Sequence, residues 1–377
     1  MTDSLRIAVS PGERRVALLR DGRLHLAAIE RPARPDGVGD LHRGRVTAIA
    51  RPMSGAFLLL GDGSTGFLPD SEAPDRRAVQ DGAILPVRVT RAAQGGKGPR
   101  VTARLAEPER AAAAGGGVAL VRRGPDAALR FAAAARAAMV VVDDAAEAAR
   151  LRASLGADRV RLDRAGAFDD ALEAEFEALA GPEVPLPGGG RLLVQPVAAL
   201  TAIDVDAGSG AGQGDAGATL RLNEAAVAEA ARQIRLRNLA GAILLDVAGL
   251  TAKRREALAA PLAAALAADP LRPELLGLTR LGLFEIRRSR VHPPLHEVIG
   301  APPSPLTHGL AALRRAAREA AAMPGRPLAL RAAPVVLAAV EALDGALEAF
   351  RAGAGRALSL RPDPALPPGR ESIEDAA

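Results

Sequence analysis

The sequence predicts a multidomain α/β chain, and three observations carry that expectation. Its 377 residues are too many for one ordinary core and suggest two to four compact units. Short strand-like pieces separated by glycine-bearing turns crowd the first third of the chain, and beyond them helical and strand-like segments alternate. At 49% hydrophobic and 25% charged residues the composition is that of a globular protein.

Leu5 to Glu30 alternates well enough for two or three strands, with Asp21-Gly22 as a hairpin turn. From about Gly37 to Ala103 come RGRVTAIA, GAFLLLG, STGFLP, AILPVRVTRA and PRVTARL, and five short strands in so little chain predict a small closed barrel. Arg130 to Ala138 reads as helix, MVVVDD as a buried strand and Ala145 to Leu155 as helix, an α/β rhythm. GPEVPLPGGGRL is a linker or hairpin. NEAAVAEAARQIRLRNLAG predicts a helix with Asn223 as N-cap and Gly241 just past its end. Its apolar stripe is Val227, Ala230, Ala231 and Ile234, flanked by Arg232, Arg235 and Arg237. After Ile299, APPSPLTHG breaks the chain. Two alanine-rich helical segments, a short strand ALSLRP and a polar, frayed tail are expected to follow.

Several classes of function are excluded by composition. With no Cys there is no disulfide, thiolate metal site or redox nucleophile. MTDSLRIAVSPGERR lacks an apolar core of signal-peptide length and no run approaches a membrane span, so a cytoplasmic protein without membrane contact is expected. The net charge of +5 comes almost wholly from Arg, Lys97 and Lys253 being the exceptions, a habit that GC-rich coding produces; it permits nucleic acid without requiring it. Lys97 is followed by Gly98 and has Arg91 where a P-loop needs its first glycine. GSGAGQG fails the spacing of a dinucleotide turn and reads as a flexible loop.

The aspartates in TAIDVDAGSGAGQG are the pointed feature. Side chains alternate along a strand, so Asp204 and Asp206 share one face while Ile203 and Val205 take the other. A second aliphatic strand, Ala242 to Leu245, ends in Asp246. Two ionised carboxylates about 4 Å apart repel by roughly 4 kcal/mol at an effective dielectric near 20, which a cation would relieve. Magnesium suits such a site, because it binds through one or two carboxylates and keeps water and phosphate in its shell. Spacing alone leaves open that these are separate turn or capping aspartates.

Two resemblances bear on that choice. GRVTAIARPMSGAFLLLGDGSTGFLPDSE resembles an S1 RNA-binding domain, an OB-fold, through its G-x-V opening, its G-x-F strand and its G-F-L-x-x-S-E strand ending at Glu72. That likeness implies Phe57 and Phe67 on neighbouring strands, where aromatic rings can stack bases for about 1 to 3 kcal/mol each, with a core role equally open. His42, Arg43, Arg45, Lys97 and Arg100 are candidates for phosphate contact. VPLPGGGRLLVQPVAALTAIDVDAG, ARQIRLRNLAGAILLD and LLGLTRLGLFEIRRSR, in that order across Val184 to Arg290, resemble the catalytic region of the ribonuclease E/G family.

The family resemblance implies an endoribonuclease that cuts single-stranded RNA to 5′-phosphate and 3′-hydroxyl ends in RNA processing or turnover. It implies a ribonuclease-H-like unit at 1–36 and 105–182, split by an S1 barrel at 37–104, then a DNase-I-like catalytic unit at 183–300 and a small C-terminal unit at 301–377. By the same likeness Asp204 and Asp246 hold Mg²⁺ and Asp206, where many relatives have Asn, orients the water. Arg280, Arg287, Arg288 and Arg290 become candidate RNA contacts.

Departures from the family matter too. GAPPSPLTHG stands where longer members have the C-P-x-C of a zinc link, so no structural zinc and no zinc-linked tetramer is expected, although the C-terminal helices could pair a homodimer. His292 and His296 in HPPLH have the spacing of a metal pair, but two prolines break the helix which that spacing assumes, and ordinary packing histidines are the expectation. The region before MVVVDD is short and offers no match to the Arg-Thr pair with which relatives sense a 5′-monophosphate, which puts end-sensing in doubt. The rival readings are an RNA-binding protein of the same fold with weak or no cutting, and an adaptor that uses the fold for protein contacts.

Overall fold

The computed structural model describes residues 3–187, 189–208 and 216–376 of the chain. The first hairpins are β1 (Asp3–Ser10), β2 (Glu13–Arg20) and β3 (Arg23–Glu30), and the second turn has Asp21 and Gly22 at φ 49° and 76°, the left-handed pair that a tight hairpin requires. A barrel interrupts before this sheet is complete. It contains β4 (Leu41–Ala50), β5 (Gly55–Leu59), β6 (Thr65–Pro69), β7 (Ile84–Arg91) and β8 (Arg100–Thr102), ordered β5-β6-β8-β7-β4 and closed by β4 against β5. The predicted barrel is therefore present. Its inward positions, Val46, Leu58, Leu60, Leu68, Val87, Val89 and Val101, make one small core.

The chain returns through α1 (Glu107–Ala112) and β9 (Ala119–Arg122), which adds to the outer edge of β4. Next come α2 (Ala127–Ala134), β10 (Met139–Val142), α3 (Ala145–Leu155), β11 (Val160–Leu162) and α4 (Asp170–Ala178). α2 starts earlier than the pattern suggested because the Asp126 side chain accepts from the Leu129 N–H and fixes the first turn there. β10 and β11 pair in parallel beyond β1, giving a sheet ordered β11-β10-β1-β2-β3. Both faces are buried: Leu5, Ile7, Val16 and Leu18 share a core with residues of α2 and α3, while Ala17, Leu19, Leu24 and Ala27 share one with Leu172, Phe176 and Leu236.

A second large sheet follows, built from β12 (Glu183–Pro185), β13 (Arg191–Pro196), β14 (Leu200–Asp206), β15 (Gly241–Asp246), β16 (Glu274–Leu278) and β17 (Phe284–Arg288). Its order is β12-β13-β14-β15-β17-β16, and GPEVPLPGGGRL is the β12–β13 hairpin. β14 and β15 are a parallel pair, joined by the crossover helix α5 (Ala216–Leu236), and the other described pairings of this sheet are antiparallel; α6 (Ala252–Ala257) and α7 (Ala259–Leu266) follow β15. The stripe Val227, Ala230, Ala231 and Ile234 is buried against Ile203, Val205, Ile243 and Leu245, as the helical spacing predicts.

The predicted ends of α5 are wrong. Asn223 is inside the helix and fully buried; its amide donates to the carbonyls of Thr219 and Ala248 and accepts from the Ala248 N–H. It pins the helix to the loop after β15 rather than capping it. The helix ends before Asn238, which takes the left-handed conformation at φ 51°, while Gly241 already begins β15. The predicted glycine loop lies, from residue 209 to 215, outside the described residues.

After α8 (Leu295–Ile299) the last segment forms α9 (Pro305–Ala322), β18 (Leu328–Ala332), α10 (Pro334–Glu341), α11 (Ala346–Ala354), β19 (Ser359–Pro362) and β20 (Ser372–Asp375). The tail expected to fray is instead a strand: β20 pairs antiparallel with β18, and Arg326 binds Asp375. Among the described residues no helix is long and apolar enough to cross a membrane.

Candidate active site

Because β14 and β15 are parallel and in register, Asp204 is the direct partner of Asp246. Neighbouring strands run about 4.8 Å apart and direct partners face the same way, so the two carboxylates meet on the open face of the sheet. Their apolar neighbours Ile203, Val205 and Leu245 hold the strands from the other side. The meeting that the sequence could not establish is thus made by strand pairing.

The three acids have different surroundings. Asp204 is exposed, and its pKa is raised by partial burial first, then by the charges of Asp246 and Asp206. Asp246 accepts from Arg255 Nη1 at 2.9 Å through Oδ1, and its side chain is still 48% exposed, so the pair does not close it off. Asp206 is held by Arg191, its partner across β13, with Nη2 at 2.9 Å, and by the Gly208 N–H at 2.9 Å. The Gly208 amide and Arg191 lower its pKa. Asp206 borders a cavity of about 390 Å³ lined by Glu183, Pro185, Gly189, Gly190, Arg191 and Gly208.

Arg191 and Arg255 were not anticipated. Arg191 could be found only from the β13–β14 register, and Arg255 only from the fold of α6 back onto the end of β15. Arg255 also donates to the carbonyls of Val247 and Gly282, tying the carboxylate to the turn that carries Arg280. Arg280 is exposed, and Leu281 beside it is 84% exposed.

Among the described residues no set of three or more His, Cys, Asp or Glu is grouped for a metal ion. What remains is an accessible pair of carboxylates, one of them raised in pKa by partial burial and then by its like-charged neighbours. That donor set fits a hard divalent cation that keeps water and completes its shell with phosphate. His292 Nδ1 lies 2.6 Å from Asp36 Oδ2, and burial lowers the pKa of His296.

The barrel presents a second surface. Phe57 and Phe67 are direct partners on β5 and β6, half-buried, with ring centroids 5.4 Å apart and tilted by 56°. Gly55 makes room for this arrangement, since a Cβ there would come within 2.5 Å of the Phe67 ring. Arg45 and Lys97 are exposed; Arg43 is half-buried and its Nε donates to the Gly117 carbonyl at 2.8 Å.

Two of the candidate contacts are overturned. His42 is fully buried, accepts from the Gly61 N–H through Nδ1 and has its pKa lowered by burial, so it faces no phosphate. Arg288 is 4% exposed and donates to Asp269 and to Asn238, because its strand position alternates into the core. Arg287, one residue earlier, takes the open face and pairs with Glu274.

Comparison with known proteins adds a separate line. Residues 126–291 match the model of the Ribonuclease E/G family. The chain is similar to Ribonuclease E of Nostoc sp., 38% identical over 131 residues that make up 34% of this chain and 19% of that protein. Ribonuclease E of Escherichia coli is 36% identical over 128 residues, 33% of this chain and 12% of the relative. Ribonuclease G of Salmonella typhimurium is 24% identical over 401 aligned residues, 79% of this chain and 82% of the relative. The similarity thus spans a fifth or less of the two Ribonuclease E proteins and most of the Ribonuclease G.

Proposed function

From a chain whose residues 126–291 match the ribonuclease E/G family, we propose a Mg²⁺-dependent endoribonuclease that cleaves single-stranded RNA to 5′-phosphate and 3′-hydroxyl ends, acting in RNA processing or turnover. The observation that carries the reading is the in-register meeting of Asp204 and Asp246 on an open sheet face. Asp204 and Asp246 would hold the cation, which when bound would supply Lewis-acid stabilisation of phosphate charge and ease deprotonation of the attacking water. Asp206, fixed by Arg191 and the Gly208 amide, orients the attacking water. Water oxygen bonds to phosphorus, the 3′ oxygen departs with a proton, and the new 5′ end keeps the phosphate. Phe57 and Phe67 stack bases of the bound strand, with Arg43, Arg45, Lys97, Arg280 and Arg287 near its phosphates.

In this reading the first sheet is the ribonuclease-H-like unit at 1–36 and 105–182, the barrel the S1 unit at 37–104, the second sheet the DNase-I-like unit at 183–300, and 301–377 a small unit able to pair a homodimer. The enzyme is cytoplasmic. A second reading, RNA binding with weak or no cutting, is favoured by one observation: two of the three acids already hold arginines.

One assay separates the readings. Purified protein is incubated with 5′-labelled single-stranded RNA in Mg²⁺ or EDTA, beside Asp204→Asn and Asp246→Asn. The enzyme reading expects internal cuts in Mg²⁺ alone, reduced about 100-fold or more in both variants. Uncut RNA with retained, salt-sensitive binding would leave the second reading standing.

A further inference from the structure

The barrel's aromatic pair is one end of a longer row. Phe57 is the partner of Phe67, Phe67 of Arg100, and Arg100 of Arg91, across β5, β6, β8 and β7. Phe57, Phe67 and Arg100 face the same way as direct partners, and a register shift between Val89 and Arg91 sets Arg91 opposite Arg100, so two guanidinium-bearing residues follow the two aromatic rings. Beyond Arg91 the barrel docks on the segment that follows β17. The Ala92 N–H donates to the Val291 carbonyl at 2.9 Å, Gln94 Nε2 donates to the same oxygen at 3.3 Å, and the Gly95 N–H reaches Glu297.

That docking brings in Arg290. Burial and the like charges of Arg100 and Arg290 lower the pKa of Arg91, and among the described residues no carboxylate offsets them. Arg91 Nε is buried without a hydrogen-bond partner. Of the other buried arginines, Arg15 is paired with Glu173 and Arg288 with Asp269, while Arg235 and Arg237 donate to carbonyl and amide oxygens. Three crowded guanidinium groups with no ion-pair partner among the described residues are unfavourable alone and favourable around an anion. Guanidinium forks match the paired oxygens of a phosphodiester.

Arg290 also lies against the start of the strand that ends at the acid pair. Gly241, the first residue of β15, sits at φ 88° where a Cβ would come within 2.4 Å of Arg290 Nη2. From there to Asp246 the strand rises by about 17 Å, a few nucleotides of extended RNA.

We propose that Arg91, Arg100 and Arg290 form a phosphate clamp across the seam between barrel and catalytic sheet, holding the backbone of the same RNA strand that stacks on Phe57 and Phe67. This inference rests on the RNA-cleavage reading and assigns the path of the strand to the site. Arg91 and Arg100 come from the barrel and Arg290 from the other unit, so the clamp sets the distance between the stacked bases and the bond at Asp204 and Asp246. The three are positioning residues and take no part in the chemistry.

The test measures binding of a 5′-labelled single-stranded oligoribonucleotide in EDTA, by anisotropy, from about 50 to about 200 mM salt. Arg91→Gln and Arg290→Gln are each expected to lower the slope of log affinity against log salt by about 0.7, the loss of one phosphate contact. The double variant loses no more than either single one, since the groups share a phosphate, and Arg290→Lys restores the slope. Thermal melting controls for folding; if Arg290→Gln unfolds, Arg290→Lys with a wild-type slope beside Arg290→Met without it decides. A wild-type slope in folded Arg290→Gln, with Phe67→Ala still weakening binding, would overturn the clamp and leave the nuclease intact. Slope loss in the variants of a protein that never cuts in Mg²⁺ would overturn the nuclease and leave the clamp.

Discussion

Asp246 is oriented by a neighbour that belongs to neither of the two strands. Arg255 reaches it from α6 while also holding the Val247 and Gly282 carbonyls, so one guanidinium joins a strand end, a helix and a turn. Partners of this kind around a metal ligand are worth about 10- to 100-fold in affinity or activity when removed. Arg255→Ala is therefore expected to cut RNA about 10-fold or more slowly and to raise the Mg²⁺ concentration for half-maximal rate, with Arg255→Lys between it and the wild type. A Mg²⁺ titration that superimposes the alanine variant on the wild type would remove Arg255 from the site. Arg191 is the analogous partner of Asp206, and Asp204, opposite Leu193, is the one of the three acids without an ion pair among the described residues.

α5 shows how an element can be read correctly in its face and wrongly in its ends. The apolar stripe needs only the helical period, whereas the capping assignment assumed that an Asn before an alanine run starts the helix. Tertiary contact overrode that preference, because buried Asn223 satisfies the N–H and the carbonyl of Ala248, which would otherwise be unpaired beside the site. Asn223→Ala should destabilise the protein by about 2 to 3 kcal/mol, read from the urea midpoint, since it removes three hydrogen bonds and orphans two backbone groups. Cleavage should fall with it, as the freed loop carries the chain from Asp246 to Arg255. An unchanged midpoint would mean that water replaces the amide without cost.

The far side of the same helix joins the two large sheets. Arg235 Nε donates to the His25 carbonyl at 2.9 Å, Arg232 donates to the Leu24 carbonyl and pairs with Glu175, and Arg237 is buried against Gly181. These are the cations that flank the stripe, and they hold units together rather than face solvent. Within this seam the pKa of His25 is lowered from 6.5 to about 4 by burial, then by Arg235 and Arg20. The unfolded chain therefore binds more protons between those values, so the contribution of neutral His25 is complete above pH 6.5 and is lost as pH falls toward 4. From pH 7 to pH 5 this one group should remove about 2 kcal/mol of stability, at 1.36 kcal/mol per unit. His25→Gln should flatten that part of the denaturation profile; an equally steep fall in the variant would place the acid sensitivity elsewhere.

Features that depend on neighbours along the chain were legible without coordinates: the hairpin turned by Asp21-Gly22, the five barrel strands, the stripe of α5, and the shared face of Asp204 and Asp206. Periodicity and turn chemistry are local, so they survive without coordinates. Tertiary structure alone decided the pairings: that Asp204 meets Asp246, that Arg288 is buried while Arg287 is not, that His42 is enclosed, that the tail closes a sheet through β20, and that Arg290 comes to Arg91. Each of these depends on strand register or on the docking of units distant in sequence. A one-residue change of register turns a side chain from core to solvent, and nothing in the local pattern of charges carries that information.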